Sequence, residues 1–163
     1  MGKTGTLPYR NNISCILFKG DRFLVVQLAD WKKNWWKFPQ GGIDDGESDE
    51  ETIKRELFEE LNIRNFKIVG KSKYTNRYDW PPELQLKRGA KWRGQFQKFY
   101  LVEFMGEESE IKNNIEEIRK YKWIGKSEIA TVISGIAALS GDYKNIIEKI
   151  LWEFQATPNV KDF

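Results

Sequence analysis

The chain has 163 residues, a formal net charge of +3, 40% apolar and 31% charged residues, and no histidine. That length suits one domain with a core of its own, and the lack of any run of about 18 apolar residues argues against a membrane-spanning helix. Without histidine there is no Ser-His-Asp or Cys-His pair and no imidazole metal ligand, so catalysis here must rest on carboxylates, lysine, tyrosine or metal-bound water.

At the N-terminus, MGKTGT has the spacing of a myristoylation site but no apolar signal core. Its GKT lacks the upstream glycine and four intervening residues of a phosphate loop, which excludes that reading. Two apolar runs, Asn12 to Lys19 and Arg22 to Leu28, flank Gly20-Asp21 and predict a β-hairpin. The only cysteine, Cys15, lies in the first run with no partner for a disulfide, which points to a reducing, cytoplasmic setting. A tryptophan-rich loop, DWKKNWWKFPQGG, leads into an acidic segment. There Ser48 and Glu51 form a capping box, and Ile53, Leu57 and Leu61 recur every four residues, so Asp49 to Leu61 reads as a helix that Asn62 can end in the left-handed conformation.

Strands are expected at Phe66 to Tyr78, Phe96 to Phe104 and near Lys122 to Ile124, with a second amphipathic helix over Asp142 to Phe154. Trp152 is assigned to that helix's packing face. The elements mix without βαβ alternation, and the fold class is α/β with a mixed sheet flanked by helices. Trp36, Phe38 and Trp123 read as packing anchors, and Trp31, Trp35, Trp80 and Trp92 as candidate base platforms.

Nine acids stand against two bases between Asp44 and Glu60. Asp49, Glu50 and Glu51 sit in the first helical turn, where the macrodipole stabilises them. Glu56, Glu59 and Glu60, at i, i+3 and i+4, share one face and repel one another by ~0.2–0.5 kcal/mol per pair. A divalent cation such as Mg²⁺, or Mn²⁺ in its place, turns that repulsion into ligation, the alternative being a solvated acidic face. Arg55 can clamp one of these carboxylates or serve only as a surface partner of Glu51 or Glu59.

Gly41, five residues, Glu47, seven residues and then RELFEELNI resemble the Nudix box, with Asn62 in place of its last glycine. The resemblance implies a single Nudix domain over residues 1–163 with its box at 41–63 and short flexible tails, folded as an α/β/α sandwich. It further implies metal-dependent hydrolysis of a nucleoside diphosphate linked to another group. Glu56, Glu59 and Glu60 would be metal ligands together with Gly41, and Glu56, then Glu59, the candidate base, with Arg55 beside them.

YRNN, WKFPQGGI, GQFQKFYL and EEIRKYKWI resemble the bacterial RNA pyrophosphohydrolases, close relatives of the asymmetric diadenosine tetraphosphate hydrolases. This likeness adds Glu117 as a metal or base residue outside the box, with Glu116 adjacent in case the register slips. It also brings Arg10, Gln40, Gln97 and Lys98 to the substrate. The stretch from Lys87 to Lys98, which includes Lys91 and Trp92, reads either as a cationic, base-stacking RNA contact or as a solvated loop leading into a strand. The expected partner is the 5′ end of RNA or, as the alternative, diadenosine tetraphosphate split to ATP and AMP. A non-catalytic nucleotide-binding module is a third reading, and no protein partner is indicated.

Overall fold

The computed structural model describes residues 7–156 apart from residue 138. The MGKTGT motif and both tails fall outside the described residues. Six strands and four helices follow in the order β1 (Tyr9–Lys19), β2 (Arg22–Leu28), β3 (Gln40–Gly42), α1 (Asp49–Leu61), β4 (Phe66–Asp79), α2 (Pro82–Lys87), β5 (Gly94–Phe104), β6 (Ile118–Gly125), α3 (Ile129–Ile133) and α4 (Tyr143–Gln155).

The sheet runs β4-β5-β1-β2-β6. One edge of β1 pairs in parallel with β5 from Tyr9↔Gly94 to Phe18↔Glu103. The other edge is divided. Asn12 to Ser14 pair with β3, and Leu17 to Lys19 pair with β2. The chain between β2 and β3 therefore leaves the sheet and returns beside its own start, which brings Gln40-Gly41-Gly42 next to the N-terminal half of β1.

Both faces of β1 are covered, which explains why ISCILF is almost continuously apolar. Ile13, Cys15 and Leu17 meet Ile53, Leu57 and Leu61 of α1 in one core. Ile16 and Phe18, pointing the other way by strand alternation, meet Ile147, Ile150 and Phe154 of α4 in the second. The result is the expected mixed sheet between helical layers.

The capping box forms in both directions, Glu51 N–H to Ser48 Oγ at 3.1 Å and Ser48 N–H to Glu51 Oε1 at 3.1 Å. Asn62 adopts φ 59°, ψ 23°, and its N–H bonds to Phe58 O, so the residue that replaces the box's glycine stops the helix as expected. Strand β3 and helices α2 and α3 have no counterpart in the sequence reading. Trp152 is corrected: it is 71% exposed. The buried face of α4 runs through Ile146, Ile147, Ile150 and Phe154, and a residue two positions past Ile150 is rotated by about 200° from it. No helix among the described residues is long and apolar enough to cross a membrane.

Candidate active site

Strand β3 contains two adjacent glycines because both of its faces are taken. A Cβ on Gly41 would lie 2.0 Å from Glu56 Cδ, and one on Gly42 would lie 2.3 Å from an Arg10 guanidinium nitrogen. Register accounts for the pair. Gly41 opposes Ile13, whose side chain faces α1, while Gly42 opposes Asn12 on the other face. Absent side chains thus let a carboxylate cross one side of the strand and a guanidinium the other.

Arg55 organises the acidic face. Its Nε and Nη2 donate to the two Glu47 oxygens at 2.6 and 2.8 Å, Nη2 also to Gly42 O at 2.9 Å, and Nη1 to Glu56 Oε1 at 2.7 Å. Glu59 Oε2 lies 3.4 Å from Nη1. Such a fork suits planar, charge-assisted bonds. Of the two readings open from sequence, the geometry is that of the clamp. Hydrogen bonding to Arg55, with help from the Asp44 N–H and Thr52, pulls the Glu47 carboxyl down to about 2. Glu47 therefore stays ionised and ties the Arg55 head to the loop before α1. The sequence reading gave Glu47 no role, although its fixed spacing from Gly41 and Arg55 was the available signal.

The carboxylates differ in environment. Glu60 is 4% exposed, and its Oε1 has no hydrogen-bond partner among the described residues. Burial pushes its carboxyl up, and Lys37 opposes that shift. Glu56 is also raised by burial, against the pull of Arg55. Glu117 adds negative potential at both glutamates. Glu116 and Glu117 both line the cleft, and it is Glu117 whose charge acts on Glu56 and Glu60. No three carboxylates among the described residues converge on one point as a finished ligand set. Glu56 is instead turned to Arg55.

These groups open onto a cleft of about 920 Å³. Of the residues singled out from sequence, Glu56, Glu59, Glu60, Glu117, Gly41, Arg10, Gln40 and Gln97 line it together. Gln97 Nε2 donates to Gln40 Oε1 at 2.9 Å and to Asn12 Oδ1 at 3.1 Å, which fixes the amide on the cleft floor. Arg55 sits behind this lining. Lys98, Lys91 and Trp92 are not brought to it. Alternation along β5 turns Gln95 and Gln97 to the cleft and Lys98 to the opposite face, where it donates to Asp49 Oδ1 at 2.8 Å. The stretch from Lys87 to Lys98 is also divided: Lys87 and Arg88 stand on the cleft wall, whereas Lys91 and Trp92 lie past α2. Among the tryptophans, Trp31 and Trp35 meet edge to face at 5.7 Å on the rim, and Trp80 is 6% exposed beneath Arg88. Lys37, which also lines the cleft, had no part in the sequence reading.

Comparison with known proteins agrees with this architecture. The model of the NUDIX domain matches residues 8–146. The chain is 33% identical to the RNA pyrophosphohydrolase of Bartonella henselae, with 93% of each chain covered. It is 37% identical to the RNA pyrophosphohydrolase of Sphingopyxis alaskensis, over 88% of this chain and 93% of that protein. Among solved structures, a C. elegans Ap4A hydrolase superposes with a TM-score of 0.62 at 18% identity, covering 91% of this chain and 99% of that one. Nudix hydrolases generally use divalent metal ions. By the span of the family match and the near full-length likeness to these relatives, the chain belongs to the NUDIX family and is a pyrophosphohydrolase.

Proposed function

We propose that this enzyme removes pyrophosphate from the 5′-triphosphorylated end of RNA by cleaving the anhydride between the α and β phosphates. The observation that carries the reading is the arrangement of Glu56, Glu59, Glu60 and Glu117 along one wall of a cleft that also holds Arg10, Lys87 at the end of α2 and Arg88 just after it. Two relatives named RNA pyrophosphohydrolase, matched over nearly their whole length, support RNA as the substrate.

The residues fit a divalent cation. Glu60 Oε1 is a buried oxygen without a partner, and the missing Cβ of Gly41 leaves room for the Glu56 carboxylate. Glu56, Glu59, Glu60 and Glu117, with the Gly41 carbonyl, would hold Mg²⁺, or Mn²⁺ in its place, since both favour oxygen ligands. Bound there, the ion supplies neutralisation of phosphate charge and a more acidic water. Glu56 then serves as the base that takes the water's proton, with Glu59 as second candidate, a carboxylate taking the task that no histidine is present to perform. Water oxygen bonds to phosphorus, the bridging P–O bond breaks, and pyrophosphate and 5′-monophosphorylated RNA leave. Arg55 orients Glu56. Arg10, Gln40 and Gln97 meet the phosphates or the first nucleotide, while Lys91 and Trp92 enter only as contacts for RNA outside the cleft. Lys98, turned to Asp49, takes no part. A cytoplasmic setting goes with this reading, supported by the lone, buried Cys15 thiol.

The second reading, asymmetric cleavage of diadenosine tetraphosphate, uses the same wall and draws on the half-buried Trp31 and Trp35 as platforms for adenine. A binding module without turnover is disfavoured, since it has no use for mutually repelling glutamates. The test uses Glu59→Gln and Glu60→Gln. Either should lower kcat by orders of magnitude with Mg²⁺, while melting without metal stays unchanged or rises slightly as repulsion is relieved. Full turnover in both variants contradicts the metal site.

A further inference from the structure

One cation in the cleft has no use in the reaction as described. Lys37 lies in the segment entering β3, where its backbone exchanges hydrogen bonds with Val26 at 3.0 and 2.7 Å. Cross-strand partners share a face, and Val26 packs with Leu57 and Leu61 of α1. Lys37 is thereby held beneath the helix that bears the glutamates. It is 5% exposed, yet it lines the cleft.

Its ammonium has an unusual set of neighbours. The Trp31 ring centroid is 5.2 Å away. Among the described residues no carboxylate comes within 4.0 Å of Nζ, and none accepts a hydrogen bond from it. A buried ammonium without a hydrogen-bonding partner is costly, and a cation–π contact offsets only part of that cost. Its strongest electrostatic partner is Glu60, itself buried with an orphaned oxygen. Two buried groups of opposite charge type, each held back from its charged form by burial, therefore face the same cleft without closing on each other. A ligand of one sign would satisfy one and repel the other. A polyphosphate accompanied by a divalent cation carries both signs.

We propose that Lys37 is a phosphate-binding residue whose ammonium meets non-bridging oxygens of the substrate's polyphosphate chain. A compact point charge with three donors on a flexible stem suits such oxygens without imposing a planar fork. The proposal rests on reading the cleft as a polyphosphate site and is independent of whether RNA or a dinucleotide supplies the phosphates. The rival is that Lys37 only balances the charge of Glu60.

The test compares the wild-type chain with Lys37→Gln and Lys37→Met in three measurements. These are calorimetric binding of inorganic tripolyphosphate as its Mg²⁺ complex, KM for 5′-triphosphorylated RNA with Mg²⁺, and the melting temperature. Wild type should bind tripolyphosphate, and both variants should weaken that binding and raise KM by about 10- to 100-fold, the range of a lost charged hydrogen bond. Melting temperature should stay level or rise, because an amine whose charged form burial disfavours has gone. Unchanged tripolyphosphate affinity in both variants overturns the proposal, as does undetectable binding by wild type at millimolar ligand. A lower melting temperature with tripolyphosphate binding retained assigns Lys37 to balancing Glu60 and overturns it too. Failure of wild type to turn over RNA counts against the proposed substrate and leaves the tripolyphosphate measurement readable.

Discussion

Gly41 and Gly42 allow a sharp test because each meets the mobile end of a side chain and not backbone. Gly41→Ala places a methyl 2.0 Å from Glu56 Cδ, so the carboxylate must move off the strand. A loss in kcat of at least about tenfold should follow, from displacement of the proposed base. Stability should change by less than about 1 kcal/mol, since Gly41 has negative φ and alanine restricts the unfolded chain. Gly42→Ala displaces Arg10 instead and should raise KM more than it lowers kcat. Steady-state kinetics and thermal melts of both variants check this, and equal kinetics for the two would contradict separate roles. Residue-level chemistry was partly legible in the sequence. The glutamate arc and Arg55 were visible because helical spacing turns positions into a face. Lys37 was not, because only the pairing with Val26 puts it under α1, and nothing in WWKFP announces a buried lysine. Lys98 shows the opposite failure: a motif position suggested phosphate contact, while strand parity turned the side chain to Asp49.

At the scale of elements, the proposed reaction draws most on α1, whose two ends are built differently. The N-terminus is closed by the Ser48–Glu51 box and anchored to β5 through Lys98 and Tyr100, both bonded to Asp49. The C-terminus depends on Asn62 in the left-handed region, with its Nδ2 donating to Glu110 O at 3.0 Å. Asn62→Val should cost about 1–2 kcal/mol, because a β-branched residue resists positive φ. Asn62→Gly removes that strain and loses the amide bond to Glu110, two effects of about 1 kcal/mol or less that oppose each other. Urea melts of the three proteins check the order, and a valine variant as stable as wild type would contradict it. Helix α1 was readable because caps and apolar period agree. Strand β3 was not: two glycines in three residues have no strand propensity, and it is a strand only because the N-terminal half of β1 offers a free edge.

For the molecule as a whole, function depends on a sheet that separates two cores and leaves one end open. The core under α1 carries the acidic wall, the core under α4 carries the floor through Tyr143 and its contact with Phe99, and the excursion from β4 to β5 adds Lys87 and Arg88. The mixed sheet with helices on both sides was legible because apolar runs and helical periods mark each layer separately. The division of β1's edge between β2 and β3 was not, since it depends on contacts between distant segments. The central claim is that this cleft acts on RNA ends. It is tested most directly by measuring kcat/KM with Mg²⁺ in parallel for a 5′-triphosphorylated oligonucleotide RNA and for diadenosine tetraphosphate, with products identified. The value for RNA should be the higher, with pyrophosphate and 5′-monophosphorylated RNA as products. A higher value for the dinucleotide, with ATP and AMP released, or turnover of neither substrate, would contradict it.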